Sequence, residues 1–372
     1  VKSFTFGGIN SRDFDIFISG EATYNSPERD VEMIDIPGRN GAIVQDNGKF
    51  HNISVTYPAF IRAGFESRFE DFKAAISQFT SYQRLVDEYH PDFYREGIFT
   101  GPMEPRTGPY NKSGKFNVEF NCKPQRFSVE GAKKLTYYPV NYADGETNVF
   151  EISGIEVTPG TVFQLRGTYN PGSTLSGDAR VTFYNSVGGS FRVDSISTAD
   201  NTISYSATIP ATAVTVTVRF PGGMSAIGAT GLMVVNDGMK TWYSDYGPMF
   251  KNPFLYTARP IITIYGGMGK TLTMSQVNPF YSISIAIGDY SATDYDHITI
   301  DSVAGDSYFE GYVGLVYTVA NMNQYVTLTQ DGDMSDDYPE IVPGNGTVIT
   351  TAAVGETSTI EKIEIVPGWW TV

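Results

Sequence analysis

Hydrophobic and polar positions alternate with a period of two along most of this chain. Phe14-Asp-Ile16-Phe-Ile18 alternates before breaking at Ser19-Gly20, and Phe116-Asn-Val118-Glu-Phe120-Asn-Cys122 does the same before Pro124. Such alternation marks strands with one face buried. One stretch has a different period. Phe65, Phe69, Phe72, Ile76 and Phe79 recur at spacings of four and three, with Glu66, Arg68, Glu70, Asp71 and Lys73 between them, which predicts a single helix laying an aromatic stripe on a sheet.

The pattern divides the chain into three. Residues 1–129 mix strands with the helix, and Ile34-Asp-Ile36-Pro37-Gly38-Arg39-Asn40-Gly41 reads as a strand running into two successive turns, the chemistry of a hairpin. Residues 130–248 are rich in Gly, Ser, Thr, Asn and Val, with alternating runs at Val162 to Arg166, Arg180 to Tyr184, Ile203 to Ile209 and Val214 to Phe220. A β-sandwich is expected there. Residues 249–372 alternate again, at Pro260 to Tyr265, Ile283 to Ile287, His297 to Ile300 and Ile360 to Val366, and predict a second sandwich. The expected fold class is all-β dominated.

Composition agrees with this division. A chain of 372 residues is long enough for two or three cores, and 14% aromatic content suits sheets. The lone Cys122 excludes an intrachain disulfide framework. No stretch approaches the roughly 18–20 apolar residues of a spanning helix, and Val1 does not open a signal peptide, so a soluble chain folding in the cytoplasm is expected. A net charge of -15 argues against nucleic acid as a partner. The charge is uneven, because residues 249–372 hold 4 Lys and Arg against 14 Asp and Glu.

Chemistry-bearing motifs are sparse. His51, His90 and His297 stand far apart without a Cys or second His at ligand spacing, so no metal site is expected, and no nucleophilic triad is marked. Gly269-Lys270-Thr271 has the end of a phosphate loop without its first glycine, since Ile264 stands there, and a hairpin turn is the expected reading. Asp331-Gly-Asp333-Met-Ser335-Asp336-Asp337 has the carboxylate density of a calcium loop but lacks its glycine and its closing glutamate, which favours an exposed acidic turn. No cofactor is expected.

The middle segment carries a binding candidate. Alternation turns Phe163, Leu165, Val181, Phe183, Val218 and Phe220 inward, leaving Gln164, Arg166, Tyr184 and Arg219 outward. These four are expected to line one polar sheet face. An aromatic ring with bidentate polar groups suits a sugar, whose ring faces are apolar and whose edges are hydroxyls. An ordinary solvated sheet face is the alternative.

Three separated stretches resemble the distal tail protein (Dit) family of siphoviruses. They are Phe6 to Ser11 with Ile36 to Gly41; Asn252-Pro253 with Ala258 to Gly266 and Ile298 to Ser302; and Pro339 to Asn345 with Ile365 to Trp370, where the family tends to have Arg at the position of Gly368. Gly231 to Gly238, Trp242-Tyr243 and Asp245-Tyr246 resemble the end of jelly-roll carbohydrate-binding modules of phage adhesion proteins. The resemblance implies an N-terminal β-sandwich belt domain with one α-helix at 1–129 building a hexameric ring, an inserted jelly-roll β-sandwich at 130–248, and a galectin-like C-terminal β-sandwich at 249–372.

The function it implies is structural: a ring at the virion tail tip that joins the tail tube to the tip hub, contacts receptor-binding proteins, and holds host cell-wall polysaccharide. No enzyme, nucleic-acid or membrane role is expected. Two alternatives stand beside it. One is a purely structural ring, and the other is a wall-degrading glycosidase, which needs two carboxylates about 5–9.5 Å apart in a cleft.

Overall fold

A computed structural model of the chain describes residues 2–19, 24–137, 149–169, 179–197, 202–221, 227–236, 239–243, 249–250, 252–266, 269–276, 281–290, 294–332, 338–343, 347–351 and 360–372. It divides into two compact units, Val1–Ala132 with Trp370–Val372, and Lys133–Trp369.

The first unit is built on a ten-stranded sheet. Its spine is the antiparallel pair Ile53–Ile61 and Gly114–Cys122, in register along nine residues. Alternation buries Val55, Tyr57, Ala59 and Ile61 from one strand and Phe116, Val118, Phe120 and Cys122 from the other. The sheet runs from Ile9–Asn10 through Phe4–Phe6 to Ile16–Ile18, and Lys2 bridges back to Ile18, so the two ends of the strand order approach one another. This curl encloses the expected helix, Phe65–Ser77, whose Phe65, Phe69, Phe72 and Ile76 are buried. Phe79 of the aromatic stripe lies beyond the helix end, with its ring 5.4 Å from that of Phe6. It packs over Gly7, where a Cβ would meet the ring at 2.5 Å and where φ is +56°, so glycine is required on both counts. The last strand, Trp370–Thr371, pairs with Arg126–Ser128 in this unit.

The second unit holds four sheets forming two sandwiches with one continuous core. The middle sandwich has one sheet ordered Val149–Glu156, Thr215–Pro221, Arg180–Tyr184, Ser190–Ser195. Its other sheet is ordered Thr202–Thr208, Val162–Tyr169, Ile227–Asn236, Met239–Tyr243. The C-terminal sandwich has a six-stranded sheet, Leu135–Tyr137, Ile360–Val366, Ile261–Gly266, His297–Asp301, Asp306–Val313 and Val316–Asn321, facing a five-stranded one. Leu135–Tyr137 precedes the middle sandwich in sequence, yet it pairs with Ile363 to Ile365 of the C-terminal one. Among the described residues the architecture is all-β dominated with one α-helix, as the periodicity predicts.

Candidate functional site

The alternation of the middle sandwich places its side chains as expected: Phe163, Leu165, Val181, Phe183, Val218 and Phe220 are all fully buried. The four candidate residues, however, do not share one face. Gln164 and Arg166 stand on the strand Val162–Tyr169 of one sheet, whereas Tyr184 and Arg219 stand on Arg180–Tyr184 and Thr215–Pro221 of the other. The outward faces of a sandwich's two sheets point in opposite directions. Period-two alternation tells inward from outward but is silent on which sheet a strand joins.

Two smaller faces replace the expected one. On the first, Arg166 donates to Gln164 Oε1 at 3.4 Å, and the register sets Arg166 between Ser204 and Met233, and Gln164 between Ser206 and Val235. Ser204 and Ser206 are exposed, so hydroxyls flank the guanidinium. Trp242 and Lys240 occupy the next register positions, opposite Met233 and Val235.

On the second face, Arg219 pairs with Glu151 at 3.5 Å and lies opposite Arg180, while Tyr184 lies opposite Thr215 and Ser190. Thr182 and Thr217, register partners between them, are nearly buried although the alternation turns them outward. The edge strand adds Phe191 and Val193, 43% and 58% exposed. These apolar positions were not singled out from the sequence; the alternation of Phe191 and Val193 with polar neighbours was the available signal.

The two sheets are tied at their rim. Arg192 forms a two-pronged pair with Asp194, at 3.0 and 2.7 Å, and Tyr205 on the opposite sheet donates to Asp194 at 2.5 Å. Burial pushes the Asp194 carboxyl up, but the hydrogen bonds from Arg192 and Tyr205 outweigh it and hold the group below its ordinary value. Burial and the anionic neighbour raise the Tyr205 hydroxyl. This network is a clasp between the sheets.

A second candidate surface lies in the first unit. Strands Arg29–Ile34 and Ile43–Phe50 pair only with each other among the described residues, joined through Pro37 to Gly41 with Gly38 and Gly41 at positive φ. Polar residues hold the base, where Lys49 and His51 approach Asp30 at 3.2 and 3.8 Å. The far part is apolar and open: Met33 is 62% and Val44 55% exposed, and they are register partners. An isolated two-stranded hairpin is marginal in water by itself.

The remaining motifs resolve simply. Gly269 sits in a turn at positive φ, closed by hydrogen bonds to and from Ile287, and Thr271 opens a strand. Of the acidic run, residues 333–337 lie outside the described residues, as do Asp245 and Tyr246. No group of three His, Cys, Asp or Glu able to hold a metal occurs among the described residues.

No protein-family model matches the sequence, and no curated protein matches it. Among solved structures, the chain is similar to SPP1 Dit (gp 19.1), described as a paradigm of hub adsorption apparatus in phages infecting Gram-positive hosts. The identity is 10%, the coverage 98% of both chains and the TM-score 0.36. It is also similar to a chain of the phage p2 baseplate in its activated conformation, in strontium-bound and calcium-bound forms, at 10% identity, 98% of this chain, 97% of that chain and a TM-score of 0.43.

Proposed function

We propose that this chain is a structural tail-tip protein of a long-tailed phage that assembles into a ring between tail tube and tip, and that works by assembly rather than catalysis. The observation that carries this reading is the hairpin Arg29–Phe50. It holds the Pro37 to Gly41 motif that resembles the distal tail family, and it presents the open apolar pair Met33 and Val44 on a hairpin too small to be stable without a partner. A ring needs a heterologous contact repeated on every copy, and an arm seated on the next copy supplies one.

Sedimentation of the purified full chain tests it. A ring of copies is expected, and Met33→Glu with Val44→Glu is expected to reduce it to monomers without lowering the melting temperature. A chain that stays monomeric at high concentration, or a double variant that still assembles, overturns the assignment.

The inserted sandwich is proposed to hold host cell-wall saccharide. Support comes from the two polar outer faces, each joining a guanidinium to hydroxyls, and from the module-like ending around Trp242. Several weak sites on one ring raise the overall grip by about 10²–10⁴-fold. Because the faces are separate, Arg166→Ala and Tyr184→Ala report on different surfaces. Loss of labelled-wall binding with one and not the other identifies the face; binding undiminished in both shows that neither face is the site, and no wall binding by the wild type leaves a purely structural ring.

A further inference from the structure

The hairpin Asp306–Val313 and Val316–Asn321 ends the six-stranded sheet of the C-terminal sandwich. Among the described residues, no strand pairs with the outer edge of Val316–Asn321. A free edge is normally guarded by charge, proline, a bulge or brevity. At the opposite end of the same sheet stands Leu135–Tyr137, three residues long as described. Val316-Tyr-Thr-Val-Ala-Asn321 has six residues with no charge, no proline and no glycine, and it pairs in unbroken register with its neighbour.

Its surroundings are apolar and open. Tyr312 is 71% exposed, Leu315 98%, Val316 66%, Tyr317 53% and Val319 65%. Tyr312 and Tyr317 meet edge-on with centroids 5.5 Å apart, and the Tyr317 hydroxyl donates to Glu310, which holds the face of the hairpin in order. Phe309 anchors the hairpin in the core, with Val313 and Ala320 packed partly buried against it.

Charge decides what fits. From residue 271 to 361 the chain has no Lys or Arg and 13 Asp or Glu, two of them, Asp306 and Glu310, on the hairpin itself. Pairing two copies edge to edge would bring these acidic segments together, which is disfavoured.

We infer that an extended, cationic strand of another polypeptide adds to the edge Val316–Asn321. Main-chain hydrogen bonds along the free edge supply affinity, Lys or Arg lays its stem beside Tyr317 and Val319 and meets Glu310, which shares their face, and the alternating apolar side chains seat on the other face beside Val316 and Ala320. The inference concerns residues remote in sequence from the arm at Arg29–Phe50 and does not depend on ring formation.

The test uses the full chain and a labelled peptide of alternating Val and Lys. The expected result is a rise in anisotropy, with hydrogen exchange of the Val316 to Asn321 amides slowed by about tenfold or more. A Val and Glu counterpart should not bind, and an N-methylated Val and Lys peptide, which keeps charge and apolar surface but loses its donors, should bind at least about tenfold more weakly. Val319→Ser with Tyr317→Ser, which leaves the net charge unchanged, should weaken the parent peptide to a similar extent. Equal binding of the N-methylated peptide, or unchanged exchange at these amides, overturns the proposal. So does self-association that Val319→Lys abolishes, which would make a second copy the occupant.

Discussion

Lys134 Nζ donates to Glu364 Oε2 at 2.7 Å across 230 positions of sequence. Lys362 donates to the other oxygen at 3.2 Å, and the Tyr265 hydroxyl reaches Oε2 at 3.2 Å. Glu364 is almost buried, so its charge is held by three donors rather than by water. This contact fastens the strand Leu135–Tyr137 to the C-terminal sandwich before the chain departs into the middle one. The inserted sandwich therefore begins after residue 137, later than the boundary at 130 drawn from composition.

Lys134→Met is expected to destabilise the protein by roughly 1–2 kcal/mol, since Lys362 still faces the buried carboxylate. Burial pushes the Glu364 carboxyl up, but its hydrogen bonds from Lys134 and Lys362 prevail and hold it below the ordinary glutamate value. A depressed folded pKa contributes stability that is present above about pH 4.3 and lost as pH falls through the folded value. Chemical denaturation between about pH 3 and 7 should show this loss in the wild type and a shallower one in Lys134→Met.

A fragment of residues 149–243 is expected to unfold cooperatively, with the circular dichroism of a β-protein, because both sheets of the middle sandwich lie within it. Starting at residue 130 should add nothing to its melting temperature, since Leu135–Tyr137 would lack its partner Ile360–Val366. An aggregated product from 149–243 would show that the continuous core cannot be divided there.

Gly368→Ala is expected to cost about 1–3 kcal/mol. The residue has φ +68°, and an added Cβ would stand 3.0 Å from the Arg259 carbonyl oxygen, a backbone atom that cannot swing away. Urea unfolding should show a lower midpoint with an unchanged slope.

The Cys122 thiol should not react with an aromatic disulfide reagent in the folded protein at pH 8, and should react fully once urea unfolds it. Burial raises its pKa to about 12, against a smaller lowering by Arg95. The unfolded thiol loses its proton near pH 8.5, so this group's contribution to stability is present below that pH and declines as pH rises toward the folded value. Cys122→Ala should remove that alkaline decline.

The sequence by itself determined the local elements and their inward faces. Period-two alternation marked Gly114–Cys122 and Val162–Tyr169, the four-and-three spacing marked Phe65–Ser77, and Pro37 to Gly41 marked a hairpin, because each depends on interactions within a few residues. Pairing across long separations was decided only by the tertiary structure. Tyr184 and Arg219 joined one sheet and Gln164 and Arg166 the other, Leu135–Tyr137 crossed to the C-terminal sandwich, and Val316–Asn321 took an edge. An outward residue looks the same in sequence on either sheet, and an edge strand looks the same as a central one. What separates them is which strands compete for each backbone edge, and that competition exists only in the folded chain.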